Sequence, residues 1–68
     1  MKSNFGEKLK DLRLEKGLGQ VELAQKLGVS KGIVSLWEND LREPKLSYLI
    51  AIAQFFGVSI DFLAGLEN

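Results

Sequence analysis

The chain has 68 residues, with nine basic and nine acidic side chains and neither histidine nor cysteine. Without His or Cys there is no His/Cys metal site, no disulfide and no His-dependent catalytic triad, and so short a chain buries only about 60% of its unfolded surface around one core. No apolar run approaches the ~20 residues needed to span a bilayer, and Met1-Lys2-Ser3-Asn4-Phe5 has no apolar signal-peptide region. Residues 1–68 are therefore expected to form a single, soluble, cytoplasmic domain.

Asn4 to Glu7 fits a capping box, which starts a first helix over about 4–16 with Phe5, Leu9 and Leu12 inward and Gly17 at its end. Gln20 to Leu27 reads as a short second helix with Leu23, Ala24 and Leu27 on its inner face, stopped by Gly28. Val29 turns inward, and Ser30 is a good N-cap for a third helix running to about Asn39. A charged loop containing Pro44, the only proline, leads to a fourth helix over about 46–56. Its expected inner face is Leu46, Leu49, Ile52, Ala53 and Phe56. Gly57 ends it, and Ser59 caps a last short helix with Ile60 and Leu63 on the core side. Every segment has the 3.6-residue period and none alternates as a strand, so the fold class is all-α.

The stretch from Gln20 to Asn39 has helix-turn-helix spacing, an arrangement whose second helix enters the major groove of DNA. On a wheel of about 100° per residue, Ile33, Val34 and Trp37 form one apolar face of the third helix. Lys31, Gly32, Ser35, Leu36 and Asn39 occupy the other. A purely structural helix would carry long charged residues there; this face is small enough to approach a groove closely. Lysine prefers guanine, serine reaches any base edge, and leucine packs on a thymine methyl. Leu36 has two other readings, a protein contact and an incidental exposed leucine.

The array Gly17-Leu18, Gln20, Glu22-Leu23-Ala24, Leu27-Gly28-Val29-Ser30, Val34-Ser35, Trp37-Glu38-Asn39, Glu43-Pro44 and Leu46 through Ser59 resembles the phage Cro and repressor type of DNA-binding domain, the XRE family. The resemblance runs from about Phe5 to Leu66. It implies a compact five-helix bundle of the lambda-repressor-like type and a sequence-specific transcriptional regulator, a repressor on a pseudo-palindromic operator. It places base reading at Lys31, Gly32, Ser35 and Leu36. Phosphate contacts fall to Gln20, Asn39, Arg42 and Lys45, and a structural ion pair to Arg13 and Glu38. Four positions depart from the family's habit. Leu36 stands where Arg or Lys is frequent, Gly19 and Lys45 where polar caps are usual, and Asp40 where glycine is typical.

Charge and apolar surface are unevenly placed. Residues 1–45 hold all nine cations and seven acids, while 46–68 hold only the acids Asp61 and Glu67. Ile50, Ala51, Phe55, Phe62 and Leu66 exceed what one inner face requires. An apolar patch at the end away from DNA predicts self-association, with Phe55, Phe62 and Leu66 at the dimer interface. The competing reading is that the two phenylalanines fold over the small core. The expected partners are double-stranded DNA and a second copy, with no membrane, cofactor, metal or small-molecule substrate and no enzymatic activity. The alternative function is an antitoxin-type or protein-interaction module, with the third helix or the apolar patch on a protein partner.

Overall fold

The computed structural model describes residues 4–66. Their order is α1 (Phe5–Glu15), α2 (Gln20–Leu27), α3 (Lys31–Glu38), α4 (Leu46–Phe56) and α5 (Ile60–Leu63), with no strand among them. The bounds match the sequence reading to within a residue. Helix α3 packs against both α1 and α2, α4 packs on α2, and α5 joins α4 back to α1. Phe5, Leu9, Leu23, Ala24, Val34, Trp37, Ile52, Ala53 and Leu63 form the buried core, so every helix contributes to it. Trp37 is its largest fully buried side chain.

Two expectations are corrected. Leu46 does not face the core; it is 67% exposed. The half-buried Tyr48 packs on the core instead, with its ring 5.6 Å from that of Trp37, and this rotates the buried face of α4 away from Leu46. The second correction concerns the start of α1. Asn4 lies in the left-handed region, at φ 60°, and makes no side-chain capping bond, so the Asn4–Glu7 capping box does not form. The cap comes from across the fold: Gly6 N–H donates to Asp40 Oδ1 at 3.0 Å. That N–H is one of the four donors a helix start leaves unpaired, and an N-cap side chain would ordinarily accept from it.

Asp40 is free to do this because of how α3 ends. Each of the five helices closes with the same pair of backbone bonds, one reaching back five residues and the other three. In α3 these are Leu41 N–H to Leu36 O at 2.9 Å and Asp40 N–H to Trp37 O at 3.1 Å. The motif needs one residue with positive φ. Four helices use glycine, at Gly17, Gly28, Gly57 and Gly65, while α3 uses Asp40 at φ 57°. Aspartate tolerates that region better than most side chains, and here its carboxylate gains a helix N-terminus in exchange.

The joint between α1 and α3 is tight. A Cβ on Gly6 would lie 2.4 Å from Glu38 O and 2.8 Å from Trp37 O, both backbone atoms of α3. Gly6→Ala should therefore push the two helices apart and cost about 1–3 kcal/mol, the usual range for overpacking. Asp40→Ala should cost about 1–2 kcal/mol for the lost cap. Asp40→Asn keeps an acceptor and tolerates positive φ, so it should cost much less. Urea unfolding midpoints at unchanged slope check the whole series.

Candidate nucleic-acid interface

Helix α2 begins at Gly19, whose N–H donates to Glu22 Oε1 at 2.8 Å. This is half of a capping box, since glycine has no side chain to return the bond. The first residue of α2, Gln20, then reaches α3, its Nε2 donating to Glu38 Oε1 at 3.0 Å.

Glu38 is the centre of a buried network. Arg13 Nε donates to Glu38 Oε2 at 2.6 Å and Arg13 Nη2 to Glu38 Oε1 at 3.0 Å, a two-pronged pair. Arg13 Nη1 donates to the Leu18 carbonyl at 2.8 Å, in the turn between α1 and α2. Arg13 is 7% exposed and Glu38 9%. The hydrogen bond to Glu38 raises the Arg13 guanidinium above its ordinary pKa, against the opposing effect of desolvation. No buried side-chain nitrogen or oxygen among the described residues lacks a partner. One carboxylate thus fixes α1, the following turn and the start of α2 relative to α3.

Helix α3 is pinned at both ends. Ser30 Oγ accepts from Ile33 N–H at 3.2 Å at its start. At its end, Asn39 Nδ2 donates to the Ser35 carbonyl at 2.9 Å, with Ser35 Oγ at 3.4 Å. The inner face carries Val34 and Trp37, both buried, and the half-buried Ile33. Of the four residues expected to read bases, Lys31 and Gly32 are exposed while Ser35 and Leu36 are half-buried. Asn39, Arg42 and Lys45 are exposed, and Gln20 is half-buried beside Glu38. A depression between α1 and the end of α3 is lined by Glu7, Lys10, Asp11, Glu38, Asn39 and Asp40. Arg42 and Lys45 are the cations of the loop beyond α3.

The apolar residues of α4 and α5 divide. Phe55 and Phe62 are half-buried against the core and stand under Lys16, just past the end of α1, and Lys8 of α1. Lys16 Nζ lies 5.5 Å from the Phe55 ring centre and Lys8 Nζ 5.3 Å from that of Phe62, within cation–π range. Leu66 is 76% exposed and Ile50 39%.

Three features escaped sequence reading. The bond from Gln20 to Glu38 joins residues eighteen positions apart, and no local pattern marks it. The cap on Gly6 comes from thirty-four positions away. The close packing of Gly6 on α3 did leave a signal, a glycine in the first turn of an otherwise strong helix pattern.

A helix-turn-helix family model matches residues 9–63, and the chain belongs to that family. It is 44% identical over 64 residues to the HTH-type transcriptional activator BcrR of Enterococcus faecalis, covering 94% of this chain and 31% of that protein. It is 39% identical over 56 residues to the cryptic phage CTXphi transcriptional repressor RstR of Vibrio cholerae, covering 82% of this chain and 50% of that one. The chain thus spans about half or less of the length of these relatives. Among solved structures, the P22 c2 repressor in complex with synthetic operator 9T superposes with a TM-score of 0.87 at 28% identity, covering 93% of this chain and 96% of that one. The five-helix, repressor-like fold expected from the sequence is the fold observed.

The buried pair makes an asymmetric prediction. Arg13→Met or Glu38→Leu alone strands a buried charge and should lower stability by about 3–5 kcal/mol. The double variant strands none and should lose clearly less than the sum of the two. A denaturant double-mutant cycle measures the difference.

Proposed function

We propose that this chain is the sequence-specific DNA-binding domain of a cytoplasmic transcriptional regulator, acting as a repressor. The observation that carries this is the outer side of α3: Lys31 and Gly32 exposed, with Ser35 and Leu36 half-buried beside them, on a helix capped at its start by Ser30 and closed at its end by Asn39. The P22 c2 repressor, whose structure was determined with operator DNA, supports the reading, as does the phage repressor RstR. No chemistry is involved. Binding combines phosphate contacts with a few base contacts.

Lys31, Gly32, Ser35 and Leu36 read base edges in the major groove. Gln20, Asn39, Arg42 and Lys45 hold the backbone. A glutamine amide nitrogen carries two hydrogens. Glu38 takes one from Gln20, which orients the other for a phosphate oxygen. The Asn39 amide nitrogen is held by the Ser35 carbonyl and hydroxyl, which positions its side chain at the end of α3.

One copy offers few cations, so the domain works as a dimer on a pseudo-palindromic operator, with half-sites about one helical turn apart. The second copy packs at the end of the molecule bearing Phe55, Phe62 and Leu66. The phenylalanines already spend part of their surface on the core, which leaves Leu66 as the most exposed anchor.

If about 6–8 phosphates are neutralised per dimer, log affinity should fall with log salt at a slope near −5 to −7. Selection from random DNA with mass measurement of the complex should return a two-fold site bound by two copies. Lys31→Ala or Ser35→Ala should relax preference at particular base pairs; equal losses on every sequence would contradict base reading. Capture of a protein on α3 with no DNA selected would favour the antitoxin-type alternative.

A further inference from the structure

Asp40 sits among the residues proposed to hold phosphate, directly after Asn39 and two positions before Arg42. Asn39, Arg42 and Lys45 are exposed, and among the described residues neither Arg42 nor Lys45 forms an ion pair within the fold. Long side chains of this kind carry much rotamer freedom, so their reach is set by the backbone that bears them. That backbone leaves α3 through the turn closed by Asp40 N–H on the Trp37 carbonyl and Leu41 N–H on the Leu36 carbonyl.

An aspartate in this turn is unexpected on two counts. Glycine fills the equivalent positive-φ position after the other four helices, so the turn does not ask for a carboxylate. DNA binding disfavours one. Asn39 is its chain neighbour, well inside the ~10 Å over which charges act at 0.1 M salt, so the carboxylate opposes a phosphate held there. What calls for it is α1. Asp40 Oδ1 accepts the Gly6 N–H at 3.0 Å, at a helix N-terminus that favours negative charge. Beside that bond the two backbones already meet, since a Cβ on Gly6 would lie 2.4 Å from Glu38 O. The turn is thus fastened to α1 by one hydrogen bond over one close contact, and Asn39 and Arg42 flank the fastened point.

Building on the DNA-binding function proposed above, we infer that Asp40 is a positioning residue for phosphate binding: its bond to Gly6 fixes the turn from which Asn39 and Arg42 reach the DNA backbone. Asp40 touches no DNA itself. It raises affinity through its neighbours by more than its charge lowers it. With glycine in its place the turn keeps its own hydrogen bonds but loses its tie to α1, and the phosphate-holding residues must then be ordered at the moment of binding.

The sign of one substitution separates positioning from charge. Asp40→Gly removes a negative charge and suits the turn, so electrostatics alone predicts tighter binding, whereas positioning predicts weaker binding. The test titrates the selected DNA site by fluorescence anisotropy over a range of salt, well below the unfolding temperature of each variant. Asp40→Gly should lose at least about fivefold in affinity, and its slope of log affinity against log salt should flatten by about 1 per half-site, as for a lost phosphate contact. Asp40→Asn keeps an acceptor for Gly6 and drops the charge, so it should bind at least as tightly as the wild-type chain with the slope unchanged. Arg42→Ala should cost less affinity in the Asp40→Gly background than in the wild type, because the two act as a unit. A purely structural role would lower the unfolding temperature and leave the salt slope and this coupling unmoved. Asp40→Gly binding as tightly as the wild type or tighter overturns the inference, as do additive losses in the double variant or an Asp40→Asn that binds as weakly as Asp40→Gly. In each of these cases the DNA-binding reading stands. Failure to select any DNA overturns both.

Discussion

A single carboxylate organises this domain. Glu38 sits near the end of α3, almost without solvent, and is held by Arg13 from α1 and Gln20 from α2. Burying a carboxylate is expensive, and the attraction of one cation roughly offsets the cost only when the remaining lone pairs are also satisfied. Here a two-pronged guanidinium and an amide supply three hydrogen bonds, so that both carboxylate oxygens are paired. The gain is geometric as much as energetic. Three helices meet at fixed angles because one group requires all of its partners at once, and the helix proposed to enter the groove carries that group.

The apolar core alone would specify the arrangement less sharply. Its nine buried members are mostly aliphatic or small, and cores of this kind tolerate repacking when total volume is conserved. A polar network has no such latitude, since a shifted α3 would leave unpaired charge in a dry interior. The joint between α1 and α3 adds a second constraint. Backbone meets backbone at Gly6, and Asp40 supplies the missing helix cap. Both constraints act on the last turn of α3. Its first turn is capped by Ser30 and packs through Ile33 and Val34, while Lys31 and Gly32 lie exposed there.

Much of this could be read before the structure was known, and the pattern of success is physical. Helix bounds were legible because each helix ends in one motif with a residue suited to positive φ, and four of the five are glycines. The Arg13–Glu38 pair was legible only through family resemblance, since twenty-five positions separate its members. Asp40 looked like a stray negative charge where a glycine was typical. The structure assigns it two tasks, the turn and the cap, neither visible without the distant N–H of Gly6. Leu46 was misplaced because periodicity cannot fix the edge of a buried face: Tyr48, on the flank of α4 away from Leu46, takes the core contact. The phase of a buried face depends on what it packs against. Among the candidate site residues of α3, Lys31 and Gly32 are exposed, and Ser35 and Leu36 are half-buried. Gln20 proved to be tied inward, to Glu38.

The borrowed cap on α1 bears on how this motif can be reused. A helix-turn-helix is often described as a portable pair of helices, but here α2 and α3 do not make a finished unit. The end of α3 donates a cap to α1, the centre of the network takes its cation from α1, and the α1–α2 turn is stitched to that same cation through Leu18. Excising residues 20–40 for transplantation into another scaffold would leave Glu38 without its counter-charge and Asp40 holding a costly backbone conformation with nothing to cap. The smallest transferable piece therefore begins at the start of α1, and a designer grafting new specificity onto this domain should alter the outer face of α3 and leave its last turn alone.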